Sequence, residues 1–428
     1  MIYMNIYFSG IGGVGIGPLA EIALDAGYDV LGSDLVETTT TAELINRRVK
    51  VNVGQDGSFL NEQHKLKPID WFIYTAALPQ DHPELVLAKN LGIKCAKRDE
   101  LLSFIIKDKN LKLIAIAGTH GKTTTAGMMV WAMQKLDIPI SYSVGTTFSF
   151  GPSGKFDPKS KYFIYECDEF DRNFLNFQPF LSLITTIDYD HPDTYPTEKD
   201  YLDSFTKFAQ QSQKVITWQD QHNELFANID NITTLHDSDI NESLKLAGEH
   251  NRRNASLVQK AILELEINQP TDDILSDFPG VSRRFEKLAD NLYSDYGHHP
   301  VEIAATLQMA HELYDDIILV YQPHQNVRQH AIKDQYTNQF ELAKDIYWLP
   351  TFIPAGNRDD HSLAILSPEE LTRNITNQVS VHIAELDDKL WQTIQQARQN
   401  NRMVLCMGAS NIDTWVREKL KSTEQLAN

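Results

Sequence analysis

Two glycine-rich turns, each between a strand-like and a helix-like segment, constrain the fold of this chain most. The first lies in SGIGGVGIGPLAEI (residues 9–22) and the second in AIAGTHGKTTTAGMM (residues 115–129). Each follows a short apolar run and precedes apolar residues at helical spacing. Glycines at such a turn let backbone N–H groups point toward an anion, and the helix N-terminus adds partial positive charge. The sequence therefore predicts two phosphate-binding loops in α/β sheets.

Strand-like and helix-like segments alternate along the whole chain, which predicts an α/β protein of three consecutive α/β domains. The polar segment Lys107–Lys112 is typical of a linker, and FPGVSRRFE marks a second boundary. We therefore expect an N-terminal Rossmann-like domain at 1–108, a central P-loop ATPase domain at 109–280 and a C-terminal Rossmann-like domain at 281–428. Polar and charged residues suited to binding or catalysis follow the predicted strands, and open α/β sheets bind ligands at the carboxyl ends of their strands.

The formal net charge of -19 argues against general binding to nucleic acid or to an anionic membrane. An anionic substrate must therefore meet a local cluster of donors. Three scattered cysteines, Cys95, Cys167 and Cys406, have no metal-ligand spacing and indicate a reducing compartment. With no signal-peptide pattern at the N-terminus, we expect a cytoplasmic protein.

The second loop carries residues suited to a nucleoside triphosphate. Lys122 follows Gly121 and can reach β- and γ-phosphate oxygens, while the hydroxyl of Thr123 can bind Mg²⁺. The strict pattern G-x-x-x-x-G-K-S/T requires a glycine where this chain has Ile116. We therefore interpret Gly118–Thr123 as a shortened variant of a P-loop.

The first loop has the spacing of a dinucleotide-binding turn. Gly10, Gly12 and Gly15 follow a predicted strand, and Asp34 ends the next strand. This pattern predicts a bound nucleotide diphosphate, but it leaves open a nicotinamide dinucleotide or another diphosphate nucleotide. Two such sites in separate domains suggest one nucleotide as the energy source and a second as part of the substrate.

Carboxylates after two central strands predict a magnesium site. KYFIYECDEFD ends with four acidic residues, of which we expect Glu166 to bind the metal and Asp171 to lie in a solvated turn. ITTIDYDHPDTY places His191 at the end of the following strand. We expect His191 to converge on the same site.

Polar residues near the second boundary form another group. Asn251 and Asn254 are spaced i, i+3 in HNRRNA, and Arg284 lies in SRRFE. Asp295 and His298 lie in SDYGHHPVEI, where adjacent histidines point in opposite directions, so we do not expect a zinc site.

With these motifs together, the chain resembles the Mur ligases, the ATP-dependent amino-acid ligases of peptidoglycan precursor synthesis. The resemblance covers nearly the whole length and includes GTHGKTTT, ECDEFDRNFL, HNRRNA, FPGVSRRFE, DYGHHP, YQPHQNVR and MGASNI. GTHGKTTT followed by DYGHHP is specific to the branch that acts on UDP-N-acetylmuramate. The resemblance implies UDP-N-acetylmuramate, L-alanine and ATP as substrates, Mg²⁺ as cofactor, and a monomer or homodimer.

The resemblance also implies a role for each matching residue. ATP would be bound by Gly118, Thr119, His120, Gly121, Lys122, Thr123, Thr124, Asn251, Asn254, Arg284, Asp295 and His298. The substrate nucleotide, muramoyl group and amino acid would be bound by Gly10, Gly12, Gly13, Val14, Gly15, Ser33, Asp34, Thr75, Ala76, His324 and Arg328. Thr123 and Glu166 would be ligands of one Mg²⁺, and His191 would be a ligand of a second.

The implied reaction transfers the γ-phosphoryl group of ATP to the muramoyl carboxylate, and the alanine amine then attacks the acyl phosphate. Lys122 and Arg284, with Mg²⁺, would stabilise the developing charge. His191, His298 and His324 are the candidates for the base. The chain departs from the family at Gln325, where QPHRYTR usually supplies an arginine, so its amino-acid contacts stay open.

Three alternatives are weighed against this interpretation. A recycling ligase of the same branch, which adds a tripeptide to UDP-N-acetylmuramate, agrees with ECDEFD but less well with YDHPDTY and QPH. An NAD-dependent oxidoreductase leaves GTHGKTTT unexplained. A non-catalytic nucleotide switch leaves HNRRNA, SRRFE and DYGHHP without a purpose.

Overall fold

The structure is a computed structural model that describes residues 4–75, 78–191, 194–220, 223–227, 229–353, 363–373, 375 and 380–427. Ala76, one of the predicted substrate-binding residues, lies outside the described residues. The chain forms two compact units. The first consists of Met1–Ile240 with Asn254–Phe278, and the second of Asn241–Arg253 with Pro279–Asn428.

The N-terminal part of the first unit is a parallel sheet of alternating strands and helices. Its elements are β1 (Asn5–Ser9), α1 (Gly17–Asp25), β2 (Asp29–Asp34), α2 (Thr39–Asn46), β3 (Lys50–Val53), α3 (Ser58–Leu66), β4 (Trp71–Tyr74), α4 (Pro83–Asn90), β5 (Lys94–Lys97) and α5 (Arg98–Asp108). The strand order is β3-β2-β1-β4-β5, with parallel pairing throughout. The order reverses beside β1, which puts the first glycine-rich loop at the switch point of the sheet.

The second sheet of this unit has β6 at its centre. Its elements are β6 (Lys112–Ala117), α6 (Lys122–Lys135), β7 (Ile140–Ser143), β8 (Gly154–Lys155), β9 (Tyr162–Glu166), a 3₁₀ segment (Phe170–Asn176), β10 (Leu181–Ile184), α7 (Glu198–Gln211), β11 (Val215–Trp218), α8 (Asn223–Phe226), β12 (Ile232–Leu235), α9 (Glu249–Glu264) and α10 (Asp272–Ser276). The strand order is β12-β11-β10-β6-β9-β7-β8, and β8 pairs antiparallel with β7. The loop after β6 therefore lies between the ends of β9 and β10.

The second unit contains the third sheet. Its elements are β13 (Glu286–Ala289), β14 (Leu292–Asp295), α11 (Pro300–His311), β15 (Ile317–Tyr321), α12 (Asn326–Ile332), β16 (Asp345–Trp348), α13 (Pro368–Thr372), β17 (Ser380–Ile383), α14 (Asp388–Gln399), β18 (Met403–Met407) and α15 (Ile412–Ala427). The order is β13-β14-β18-β15-β16-β17, with β13 antiparallel to β14. Every residue of β15 and of β18 is buried, as expected for strands covered on both faces.

The structure confirms an α/β fold with three sheets in succession, but it shortens the predicted linker at Lys107–Lys112. Helix α5 continues to Asp108 and β6 begins at Lys112, so only residues 109–111 connect them. The helix extends this far because Ile105 and Ile106 are buried in the core. The domain limits at 108 and 281 stay predictions. Within the described part of the chain, no helix combines the length and the apolar character that a bilayer crossing requires.

Candidate functional site

The turn after β6 has a backbone that only glycine fits at two positions. Gly118 has φ of 132°, and a Cβ there would lie 2.3 Å from Oγ1 of Thr185. Gly121 has φ of 85°, and a Cβ there would lie 3.0 Å from the side-chain oxygen of Asn254. Both constraints follow from the close approach of neighbouring segments to the turn. The predicted phosphate loop is therefore built as a tight, packed turn.

Hydrogen bonds from the β10 side hold the middle of this loop. The backbone N–H of Thr119 donates to the carbonyl of Thr186 at 2.9 Å, and that of His120 donates to the Thr186 hydroxyl at 2.8 Å. The imidazole Nε2 of His120 lies 3.4 Å from a carboxylate oxygen of Asp188. Two amides of the loop are thus already used by the protein.

Lys122, the first residue of α6, lies among acceptors at the mouth of the loop. Its ammonium donates to Oε2 and Oε1 of Glu169 at 2.7 and 3.0 Å and to the carbonyl of Gly118 at 2.6 Å. Burial alone would lower the pKa of Lys122, but the charges of Glu169 and Asp168 raise it above its ordinary value. The lysine therefore stays charged beside the loop, as an interaction with phosphate oxygens requires.

Two of the predicted metal ligands are in contact. The hydroxyl of Thr123 donates to Oε1 of Glu166 at 2.5 Å, and the backbone N–H of Gly145 donates to Oε2 at 2.6 Å. Thr124 follows Thr123 in the first turn of α6. A hydroxyl beside a carboxylate at the start of a phosphate-loop helix suits Mg²⁺, which prefers oxygen ligands.

The third predicted ligand, His191, lies with two carboxylates. One ligand atom from each of Asp168, Glu169 and His191 falls within 4.8 Å of the others. Nε2 of His191 is 3.7 Å from Oε1 of Glu169, and the residue has φ of 57°. Asp171 instead pairs with Lys97 at an exposed position, in agreement with the predicted solvated turn.

Glu169 contacts Lys122 of the second glycine-rich loop, and the sequence analysis assigned it no role. Its side chain is 1% exposed, and the Tyr195 hydroxyl donates to its carbonyl at 2.6 Å. Burial raises the pKa of Glu169, and the charge of Lys122 opposes that rise. In the sequence, Glu169 is only one of four acidic residues at the end of β9 and just after it. Its burial, which distinguishes it from the exposed Asp171, is a property of the folded structure.

The first glycine-rich loop is anchored to β2. The backbone N–H groups of Gly10 and Ile11 donate to the carbonyl of Ser33 at 2.8 and 2.9 Å, and that of Gly12 donates to Oδ2 of Asp34 at 2.8 Å. A Cβ on Gly12 would lie 2.4 Å from Oγ1 of Thr38, so the close approach of α2 requires a glycine. The loop is thus preorganised by the residues that follow the neighbouring strand.

The rest of this loop leads into α1 and faces solvent. Gly13 accepts hydrogen bonds from the N–H groups of Ile16 and Gly17 at 3.1 and 2.8 Å, and Val14 is 99% exposed. Thr75 follows β4, two strands from β2 in the same sheet. These predicted substrate-binding residues therefore lie at the carboxyl edge of one sheet.

A buried carboxylate lies beneath this loop, and sequence reasoning did not single it out. Glu84, at the start of α4, is 1% exposed and accepts from the hydroxyls of Tyr7, Ser9 and Ser33 at 2.6, 2.7 and 2.8 Å. Ser33 also holds the loop through its carbonyl. The network therefore fixes the strand ends to which the glycine-rich turn is bonded.

Asn251 and Asn254 lie on α9, as predicted, but in different units. The Asn254 amide borders the phosphate loop at Gly121 in the first unit. Asn251 belongs to the second unit, where its amide donates to the carbonyl of Ala247 at 2.9 Å and contacts the sulfur of Met309 at 3.0 Å. Their i, i+3 spacing does not reveal this division.

Arg284 and Asp295 are neighbours in the second unit. Both carboxylate oxygens of Asp295 accept backbone N–H groups, from Phe285 and Gly297, at 2.7 Å each. Burial raises the pKa of Asp295 to about 6, and the charge of Arg284 opposes that rise. Arg284 lies 5.2 Å from the ring centre of Tyr296, so it is held against an aromatic face.

His298 and Arg328 form a direct contact. Nη1 of Arg328 lies 2.6 Å from Nε2 of His298, and Nδ1 of His298 lies 3.2 Å from the carbonyl of Tyr296. Burial lowers the pKa of His298 to about 3. His298 is therefore a neutral acceptor for the arginine and a weak base.

His324 and His299 have distinct positions nearby. The ring of His324 stacks on Phe352 at 5.9 Å and meets the ring of His298 edge-on at 5.9 Å. His299 is 6% exposed and caps α11, where its N–H donates to Glu302. His299 is thus a buried residue at the start of α11, whereas His298 contacts Arg328.

A glycine-rich loop that carries Lys122 on one sheet, and a second glycine-rich loop on a separate parallel sheet, are typical of α/β proteins that bind nucleotides. The sequence matches three domains: Mur ligase family, catalytic domain, over residues 5–110; Mur ligase middle domain over 116–242; and Mur ligase, glutamate ligase domain, over 283–410. The chain belongs to the Mur ligase family.

Curated relatives align with the chain over nearly its full length. The UDP-N-acetylmuramate–L-alanine ligase of Fusobacterium nucleatum is 30% identical and covers 99% of this chain and 98% of its own. The enzyme of the same name from Caldicellulosiruptor saccharolyticus is 31% identical, with 96% and 97% covered.

Solved structures share the fold. The UDP-N-acetylmuramate–alanine ligase of Thermotoga maritima superimposes with a TM-score of 0.72 at 23% identity, covering 99% of this chain and all (100%) of that one. A murein peptide ligase from Psychrobacter arcticus gives a TM-score of 0.63 at 20% identity, with 98% of both chains covered. The three-sheet architecture is thus the Mur ligase fold.

Proposed function

We propose that this protein is an ATP-dependent ligase that joins L-alanine to the muramoyl carboxylate of UDP-N-acetylmuramate. The observation that carries the proposal is the charged Lys122 at the mouth of the phosphate loop, with a second glycine-rich loop on another sheet for the substrate nucleotide. The relatives that align over nearly the whole chain are named for this reaction.

The chain's own residues would act mainly by electrostatics. Lys122 would bind the β- and γ-phosphates of ATP, and Arg284 would stabilise charge on the transferring group. The muramoyl carboxylate would become an acyl phosphate, which the amine of L-alanine attacks. Thr123 and Glu166 would hold one Mg²⁺ and His191 would hold a second, and these ions, when bound, would neutralise charge on the phosphates.

The attacking amine must be neutral, so a group must take its proton. With its pKa lowered to about 3 and Nε2 occupied by Arg328, His298 is poorly suited to this task. His324 is the better candidate on these grounds, because His191 cannot serve while it binds a metal.

A phosphate-release assay tests the proposal. UDP-N-acetylmuramate and ATP are supplied with L-alanine, glycine, L-serine or the tripeptide L-alanyl-γ-D-glutamyl-meso-diaminopimelate, and each mixture is compared with one that lacks the acceptor. We expect release to depend on both UDP-N-acetylmuramate and L-alanine. A preference for the tripeptide would instead identify a recycling ligase, and nicotinamide absorbance changes without phosphate release would indicate an oxidoreductase.

A further inference from the structure

The first glycine-rich loop must bind a diphosphate without a cation of its own. From residue 4 to residue 46 the sequence contains neither lysine nor arginine. The chain as a whole has a formal net charge of -19, which disfavours an anionic ligand. Backbone N–H groups and the start of α1 supply partial charges only. A full positive charge from elsewhere in the fold would therefore strengthen the binding of a diphosphate at this loop.

Arg98, the first residue of α5, brings such a charge to the loop. Its Nη1 lies 3.3 Å from the position that a Cβ on Gly15 would occupy. Its Nη2 lies 3.4 Å from Oδ1 of Asp99, and the side chain is 34% exposed. Nη2 of the guanidinium is therefore held by Asp99, and Nη1 lies beside the glycine-rich turn.

The surroundings of Arg98 keep it oriented and charged. Asp99 is 3% exposed and accepts the hydroxyl hydrogen of Tyr165, so its carboxylate is fixed between the tyrosine and the arginine. Burial would lower the pKa of Arg98, but the charges of Asp99 and Asp168 raise it. A rigidly held guanidinium loses little freedom when it binds phosphate oxygens, which it can contact through two donors at once.

We propose that Arg98 binds the diphosphate of the substrate nucleotide at the first loop, an inference that rests on the proposed function of that loop. Glycine at position 15 then has a second purpose. It avoids a side chain at a point where a Cβ would lie only 3.3 Å from Nη1 of Arg98. Arg98 is thus a binding residue for the nucleotide substrate, contributed by the helix that precedes the central domain.

The test measures binding with three probes: UDP-N-acetylmuramate, UDP and uridine. Titration calorimetry compares the wild type with Arg98→Ala, Arg98→Gln and Arg98→Lys. Loss of a charge-assisted contact should weaken UDP-N-acetylmuramate and UDP by about ten- to a hundredfold in the Ala and Gln variants. Arg98→Lys should retain part of the affinity, and uridine should bind all variants alike because it carries no phosphate.

Arg47→Ala is the matched control, because it removes one positive charge from the same sheet at an exposed ion pair with Asp25. Steady-state kinetics should show a raised KM for UDP-N-acetylmuramate in Arg98→Ala and an unchanged KM for ATP. Thermal unfolding identifies variants that fail to fold. If Arg98→Ala fails to fold, the UDP affinities of Arg98→Lys and Arg98→Gln are compared instead.

Equal UDP affinity in the Lys and Gln variants, or an equal loss for uridine and UDP, would overturn the assignment of Arg98. A wild-type enzyme that releases no phosphate with UDP-N-acetylmuramate and L-alanine would overturn the proposed function instead. The two failures are therefore distinct.

Discussion

The ammonium of Lys122 lies 2.7 Å from Oε2 and 3.0 Å from Oε1 of Glu169, in a pair whose side chains are 14% and 1% exposed. The cation of the phosphate loop is therefore already held by a buried carboxylate. A phosphate that binds at the loop would share this lysine with Glu169. Both partners of the pair thus become targets for mutation, with different expected effects.

We predict that Lys122→Ala abolishes ligation and leaves the affinity for UDP-N-acetylmuramate within a few fold. Removing an electrostatic clamp on the transferring phosphoryl group should lower the rate by at least about 10²–10³. The phosphate-release assay and a binding titration check both parts. Lys199→Ala, at a side chain 81% exposed, is the control. Substantial residual turnover would remove Lys122 from the catalytic residues.

We predict that Glu169→Gln destabilises the protein, because the buried ammonium of Lys122 loses its anionic partner. Breaking a buried pair on one side costs roughly 3–5 kcal/mol, and the carbonyl of Gly118 should keep the cost near the lower end. Denaturant unfolding measures it. The double variant Lys122→Met with Glu169→Gln should be more stable than Glu169→Gln alone, and the exposed Asp171→Asn should have little effect. A double variant that is less stable than Glu169→Gln would contradict this explanation.

We predict that Glu166→Gln and His191→Ala each raise the Mg²⁺ concentration needed for half-maximal activity. Each substitution removes a group expected to hold metal beside the phosphates. A Mg²⁺ titration of the rate, with Asp203→Asn as an exposed acidic control, is the measurement. A curve superimposable on that of the wild type would exclude the substituted residue from the metal site.

Local patterns predicted the elements that carry the site. The turn at Gly118 and Gly121 could be identified because glycines, a preceding apolar strand and helical spacing are all short-range features. Helix α11 begins at Pro300, and a proline in the first turn of a helix is likewise a local signal.

Tertiary contacts explain what the sequence did not reveal. Glu169 becomes a partner of Lys122 because Tyr195 and the turn after β9 bury it, whereas Asp171, two residues later, stays exposed. Arg98 approaches the first loop across more than eighty residues of sequence, a proximity that no local pattern contains. The role of such residues depends on which strands are neighbours in the sheet.

We predict that acid destabilises the protein partly through His298. Burial lowers its pKa in the folded chain from 6.5 to about 3, with Arg328 and His324 opposing protonation and Glu302 favouring it. The unfolded chain therefore takes up a proton below about pH 6.5 that the folded chain does not. Stability is fully present above that pH and falls toward pH 3, by at most about 1.4 kcal/mol per pH unit for one proton.

His298→Gln should flatten this acid-side slope in denaturant unfolding between pH 4 and 7. His382→Gln, at a side chain 46% exposed, is the control. The residual slope should combine the effect of His250, whose pKa burial lowers to about 4, with the opposite effect of Asp295, whose pKa burial raises to about 6. An unchanged slope in His298→Gln would show that the proton is taken up elsewhere.

The last prediction concerns Gln325, where the resemblance implies an arginine. Gln325 precedes α12 as its N-cap residue, three positions before Arg328, so the two side chains extend from the same end of the helix. If the amino-acid carboxylate binds there, the missing cation weakens it by roughly 1.5–3 kcal/mol unless Arg328 compensates. Arg328 is held by His298 at 2.6 Å and is thus fixed in one orientation.

We predict that Arg328→Ala raises the KM for L-alanine far more than the KM for ATP, and that Gln325→Arg partly restores it. Position 325 has φ of 58°, but arginine, like glutamine, is unbranched at Cβ, so the replacement should add little backbone strain. Steady-state constants of the wild type, both single variants and the double variant form a mutant cycle that isolates the coupling between the two positions. An alanine KM that Arg328→Ala leaves unchanged would exclude the QPHQNVR segment from amino-acid binding, because removal of the arginine of that segment would then have no measurable effect on the carboxylate.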